Sequence, residues 1–189
     1  MNVYRMQPES TPPVAIRRAL PADLPTLGRL GALLVRMHHE LDPQRFIPAR
    51  PGIEQGYADY LGSKLEERSV VVLVAEQAGE VVGYAYGGLE ETDYMALRGP
   101  AGALYDIVVN PDQRGCGIGR LLLDAMLAAL TSLGAPRVVL STAERNPAAQ
   151  RLFASAGFRR TMIEMTRELD GDTSRGLGGG PRDRNLKCE

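Results

Sequence analysis

The chain has 189 residues, enough for one compact α/β domain with a real core and too few for two full ones. Its hydrophobic share of 44% and charged share of 24% exclude a disordered chain, and a net charge of −1 offers no basic field to nucleic acid or to an anionic membrane surface. The opening MNVYRMQPES lacks the apolar core of a secretory signal and no apolar run approaches a membrane span, so a cytoplasmic protein without membrane or nucleic-acid partners is expected.

Residues 1–13 are polar and proline-bearing and read as a flexible arm; 14–169 read as the domain; 170–189, glycine-rich and polar, read as a disordered tail. VAIRRA (14–19) is a strand candidate. Pro21-Ala-Asp23 opens a helix, with proline suited to the first turn and the acid to the positive end of the dipole. Leu24, Leu27, Leu30, Leu34 and Met37 continue it at helical spacing until Asp42-Pro43. A second helix is predicted over 50–68, with Ile53, Tyr57, Tyr60, Leu61 and Leu65 as its apolar stripe. SVVVLVAEQ (69–77) and EVVGYAYGGLE (80–90) form a hairpin by β-branched content and a short glycine turn. A loop at 90–102, acidic in its first half, precedes the strand ALYDIVVN (103–110), apolar enough for burial on both faces. A glycine loop then leads into a helix over roughly 117–133 that Gly134 stops. A strand at 136–142 follows, then a helix at 146–157 with Asn146 as N-cap, Pro147 in its first turn and Gly157 as its stop, and a last strand at 158–169. The order β-α-α-β-β-β-α-β-α-β describes one mixed sheet covered by helices.

The loop NPDQRGCGIGRLLL (110–123) carries the chemical signal. A nucleotide P-loop needs G-x-x-x-x-G-K-[ST]; here Arg120-Leu121 follow Gly119, so the Lys and the hydroxyl are missing. A dinucleotide fingerprint fits at Gly115 and Gly117, but Arg120 stands in place of the third glycine and no acid follows near 137–140. The remaining pattern is R-x-x-G-x-G, Arg114 with Gly117 and Gly119, whose successive bare amides at a helix N-terminus make an anion cradle. A tight strand-to-helix turn without a ligand is the alternative.

YDIVVNPDQRGCGIGRLL together with NPAAQRLFASAGF resembles the GNAT superfamily of N-acetyltransferases, the second block through Asn146, Ala149, Leu152, Gly157 and Phe158. The resemblance runs from about Ala15 to Leu169. It implies the GNAT fold, an α/β (α+β) domain with a single mixed, mostly antiparallel sheet whose central strands splay, and acetyl-CoA as co-substrate with no metal. It also implies that the backbone of Ile107, Val108 and Val109 pairs with the pantetheine arm. Arg114, Gly115, Cys116, Gly117, Ile118, Gly119 and Arg120 would then hold the pyrophosphate, and Asn146 would reach the pantetheine or a nearby amide.

Acetyl transfer to an amine needs a held donor, a deprotonated amine, a polarised carbonyl and a stabilised thiolate. Asp106 sits where several family members carry an acid, so it is the candidate base; an aspartate accepting backbone hydrogen bonds at a strand bend is the alternative. The family's usual acid is a tyrosine beside the sulfur, and here that position is Phe153, which leaves water, Tyr105 or another tyrosine, or departure as the thiolate. His38 and His39 read first as solvated surface residues, with an acceptor contact as the alternative. Glu90, Glu91 and Asp93 suit a cationic amine or are merely solvated. Cys116 reads as a small filler rather than a nucleophile, and a bridge to Cys188 in the tail is not expected. The short stretch after Gly157 leaves an edge, which invites a homodimer. The function expected is N-acetyl transfer to a small cationic amine, aminoglycoside-, polyamine- or amino-acid-like. A protein N-terminus or lysine is the second acceptor class, and a non-catalytic acyl-CoA-binding regulatory module is the rival of another kind.

Overall fold

A computed structural model describes residues 12–169, so the expectations for the arm before residue 12 and the tail after 169 lie outside the described residues. Residues through Arg159 make one compact unit. Its elements are β1 (Val14–Arg18), α1 (Leu24–Leu41, entered through a 3-10 turn at Pro21–Asp23), α2 (Ile53–Lys64), β2 (Val70–Gln77), β3 (Glu80–Glu90), β4 (Ala101–Val109), α3 (Ile118–Ser132), β5 (Val138–Leu140) and α4 (Pro147–Ser155).

The five strands form one sheet in the order β1-β2-β3-β4-β5, antiparallel throughout except for the parallel pair β4–β5. This is the mixed, mostly antiparallel sheet expected. Leu27, Leu30, Leu34 and Leu61 of α1 and α2 cover one face, meeting Val70, Val72, Val74, Tyr84 and Val108. Ile118, Leu122, Met126 and Leu130 of α3, with Phe153 of α4, cover the other, meeting Val71, Leu73, Ala85 and Leu104. Along β2 consecutive valines alternate between these two cores, which is why the strand reads as one unbroken apolar run.

The start of α1 is tied by charge. Asp23 accepts both guanidinium nitrogens of Arg17, at 2.7 and 3.0 Å, and the Leu20 amide at 2.7 Å. Arg17 holds the Asp23 carboxyl below the usual carboxylate range. The α1–α2 crossing depends on Gly31, where an added Cβ would stand 2.1 Å from the Tyr57 ring.

Three boundaries differ from the sequence reading. α2 is shorter at both ends than 50–68, because Gly52, at φ +83°, starts it and the helix stops at Lys64. β5 is only three residues long, since its ladder to β4 covers Gly102–Leu104 alone. The strand expected at 158–169 is absent. Residues 160–169 contain no strand, and Met162, Ile163, Met165 and Leu169 stand 79–89% exposed. β propensity is realised only inside a ladder, and this segment has no ladder partner among the described residues.

Candidate active site

The site begins at an irregularity in β4. Tyr86 pairs with Asp106 and the next residue, Gly87, pairs with Leu104, so Tyr105 is an extra residue without a partner of its own. Residues two apart in a regular strand share a face. Here the bulge breaks that rule: Leu104 enters the core under α3, whereas Asp106 and Val108 turn toward α1 and α2. Tyr105 lies against the Tyr86 ring on that same side, with centroids 4.9 Å apart.

Asp106 is held by two tyrosines. The hydroxyls of Tyr57 on α2 and Tyr84 on β3 both donate to Oδ2, each over 3.0 Å. Among the described residues nothing donates to Oδ1, and the only sealed side-chain nitrogen or oxygen without a partner is Arg98 Nη1, so Oδ1 reaches solvent. Burial pushes the Asp106 carboxyl above its ordinary value, against the opposing effect of the two hydroxyls and of His38. Burial and the neighbouring carboxylate push Tyr57 and Tyr84 upward, so both remain neutral donors. Asp106 thus accepts side-chain hydroxyls, not the backbone amides of a strand bend.

A cleft of about 310 Å³ opens on this carboxylate. Its floor is β4 from Leu104 to Ile107, and one wall is Leu140 to Thr142 with Asn146, Ala149 and Phe153. The opposite wall comes from α1, the segment after it and Tyr57. The cleft exists because β4 and β5 pair only at Gly102–Leu104 and then part, leaving Ile107–Val109 without a β5 partner. That is the splay expected of the central strands.

At the far end of β4, Asn110 accepts the Asp112 amide and a 3-10 turn at Pro111–Gln113 leads into the glycine loop. Gly115 and Gly117 adopt φ +81° and +82°, and Gly117 caps α3. Among the described residues the amides of 115–119 donate to no backbone carbonyl. Bare amides at the positive end of a 15-residue helix form an anion site. An added Cβ at Gly115 or Gly117 would meet nothing within 4 Å, so backbone conformation, not space, demands glycine there. Gly119 differs: its Cβ would touch Leu152 at 3.5 Å, an ordinary contact. The buried Ile118 side chain anchors the loop in the core, and Cys116 is exposed.

The two arginines do not reach over this cradle. Arg114 folds back, its Nε donating to the Val109 carbonyl at 3.1 Å. Arg120 pairs with Asp124 at 2.8 Å and donates to the Ser155 carbonyl at 3.2 Å, joining α3 to α4. Asn146 caps α4 by accepting the Ala149 amide at 3.1 Å. Phe153 is buried and packs edge-on against Phe158.

A model of the acetyltransferase (GNAT) family matches residues 34–158. The chain belongs to that family. Two mycothiol acetyltransferases are similar to it. That of Thermobispora bispora is 40% identical over 92 residues, covering 49% of this chain and 31% of the relative. That of Cellulomonas flavigena is 30% identical over 159 residues, covering 84% and 44%. The chain therefore spans less than half the length of either relative. Among solved structures, an aminoglycoside N-acetyltransferase in complex with CoA shares the fold, with a TM-score of 0.65 at 19% identity, covering 87% of this chain and 99% of that one.

In this GNAT domain Tyr105, Asp106, Ile107, Asn146 and Phe153 line the cleft, whereas Val108, Val109 and residues 114–120 of the glycine loop are not among its lining residues. Tyr105 lines the cleft, and its hydroxyl is pushed up to about 12 by burial first and then by Glu90. The histidines are not solvated surface residues. His39 Nδ1 bonds the Phe46 carbonyl at 2.8 Å, and His38 lines the cleft with Nδ1 on the Leu34 carbonyl at 2.9 Å. A carbonyl only accepts, so His38 Nδ1 is the donor of that bond. Tyr57 and Tyr84 escaped sequence reasoning; the available signal was Gly28 and Gly31 in α1, which mark a close helix approach. Among the described residues no group of three or more His, Cys, Asp or Glu is placed to hold a metal, and no helix is long and apolar enough to cross a membrane.

Proposed function

We propose that the chain transfers an acetyl group from acetyl-CoA directly to a small primary amine in the cytoplasm. The observation that carries this reading is Asp106 Oδ1: an unpaired carboxylate oxygen that opens on the cleft at the point where β4 leaves β5. The amides of 115–119 suit the pyrophosphate, and the β4 edge at Ile107–Val109, which has no β5 partner and whose Val109 carbonyl Arg114 holds, suits the amides of the pantetheine arm. The amine nitrogen attacks the thioester carbonyl carbon, a C–N bond forms, and the C–S bond breaks with its electron pair leaving on sulfur. Asp106 Oδ1 first takes one proton from the substrate ammonium, which frees the lone pair for attack, and the second proton leaves the nitrogen for water as the C–S bond breaks. Phe153 supplies no proton, so water protonates the departing thiolate, or it leaves as the anion. The names of the similar proteins, mycothiol acetyltransferase and aminoglycoside N-acetyltransferase, support a small-molecule acceptor over a protein N-terminus or lysine.

Phe153 favours one second reading, a non-catalytic acyl-CoA-binding module. Thiol release from acetyl-CoA over an amine panel, measured beside CoA binding, separates the two. Saturable CoA binding with no thiol release on any amine would establish the module and overturn the enzyme. A homodimer formed through the β5 edge is part of the same proposal; a monomer by light scattering at micromolar concentration removes it.

A further inference from the structure

The charge of the cleft is as specific as its geometry. Among the described residues Asp106 is the only carboxylate that lines it, and no Lys or Arg does. Glu90 and Asp93, before β4, do not line it. Glu90 pairs with the Arg98 guanidinium, and Asp93 lies 4.0 Å from the same group while accepting the Met95 and Ala96 amides at 2.9 Å. Both acids face Arg98 and neither lines the cleft, although Glu90 reaches the hydroxyl of Tyr105, which does.

The acceptor side is built from Leu34, Val35, Phe46 and Ile47, with the His38 ring edge-on to Phe46 at 4.9 Å. Ile47 is 68% exposed, an apolar ledge at the mouth with its own area still uncovered. We propose that the acceptor is a monoamine with an apolar or aromatic body, whose single ammonium group meets Asp106 while its body covers the Phe46–Ile47 wall. A second ammonium group would lie against this wall, losing hydration with no counterion to replace it. The polyamine-like and aminoglycoside-like acceptors expected from the sequence are the molecules this wall disfavours. The inference rests on the N-acetyltransferase reading and narrows it.

The test compares 2-phenylethylamine, spermidine and kanamycin at one pH and ionic strength, by thiol release and by calorimetric titration into CoA-saturated protein. A hydrophobic pocket that gains or loses one small group discriminates on the order of 10-fold or more. The expectation is that kcat/KM and affinity for 2-phenylethylamine exceed those for either polycation by at least ~10-fold. Equal or better use of spermidine or kanamycin overturns the inference, as does the binding of no amine. Binding in the expected order without thiol release supports the recognition and instead overturns the enzyme reading. Ile47→Glu, at an exposed position, adds a second carboxylate to the wall and should narrow the preference against spermidine by about 10-fold. An unchanged preference in that variant removes Ile47 from the argument and overturns the wall as the selecting element.

Discussion

Tyr84 and Asp106 are diagonal neighbours across the β3–β4 ladder: Tyr84 pairs with Val108, two residues on, yet its hydroxyl donates to Asp106 Oδ2 over 3.0 Å. The bulge at Tyr105 makes the contact possible by turning Asp106 to the Tyr84 face. Tyr57 brings a second donor from α2 to the same oxygen. Both hydrogen bonds favour the ionised carboxylate. Tyr57→Phe and Tyr84→Phe should each raise the Asp106 pKa, moving the acid limb of the kcat/KM profile to higher pH. A rate loss with an unmoved limb would mean that the tyrosines only support the fold.

Asp106→Asn should separate function from stability. Loss of a general base typically costs ~10²–10⁴-fold in rate. Stability should move the other way at neutral pH. The folded carboxyl titrates above its ordinary value, so the folded state binds the proton more tightly and wild-type stability falls as pH rises through that interval. The variant cannot ionise and should melt higher than wild type at pH 7, with the gain disappearing below about pH 4, where both are neutral. Thermal melts at the two pH values check this.

Gly31→Ala should disturb the site from a distance. Its Cβ would stand 2.1 Å from the Tyr57 ring, which cannot retreat without taking its hydroxyl from Asp106. Overpacking of this kind costs about 1–3 kcal/mol. The melting temperature should fall, and the acid limb should shift in the direction expected for Tyr57→Phe.

Gly117→Ala and Gly119→Ala should part company. At Gly117 the left-handed backbone, φ +82°, costs an L-residue roughly 1–2 kcal/mol, and relaxing it would turn the cradle amides. CoA affinity should fall about 10-fold or more, the equivalent of ~1.4 kcal/mol. At Gly119 the new methyl meets Leu152 at an ordinary 3.5 Å, so CoA binding and melting should stay near wild type. Isothermal titration with CoA distinguishes the two.

Phe153→Tyr restores a hydroxyl to the cleft wall. If thiolate protonation limits the reaction, kcat should rise, within the ~10²–10⁴-fold range of general acid catalysis. An unchanged kcat with a lower melting temperature would place the slow step elsewhere.

Sequence by itself determined the sheet's strands through β5, the helix periodicities and the two motif blocks. These follow from local chemistry: β-branched runs, proline and asparagine at helix starts, and glycines where only a left-handed backbone closes the turn. Asp106 was legible as a candidate because it lies inside one of those blocks. The strand expected at 158–169 was not, since a strand needs a partner and local propensity cannot provide one. Only the tertiary structure decided which oxygen of Asp106 is free. The bulge reverses the strand's alternation, Gly31 admits the Tyr57 ring, and two hydroxyls from separate elements meet on Oδ2. The fold also set Glu90 and Asp93 against Arg98, leaving Asp106 as the one carboxylate among the described residues that line the cleft. The two tyrosine contacts on Asp106 join residues 49 and 22 positions apart, and no spacing in the sequence encodes them.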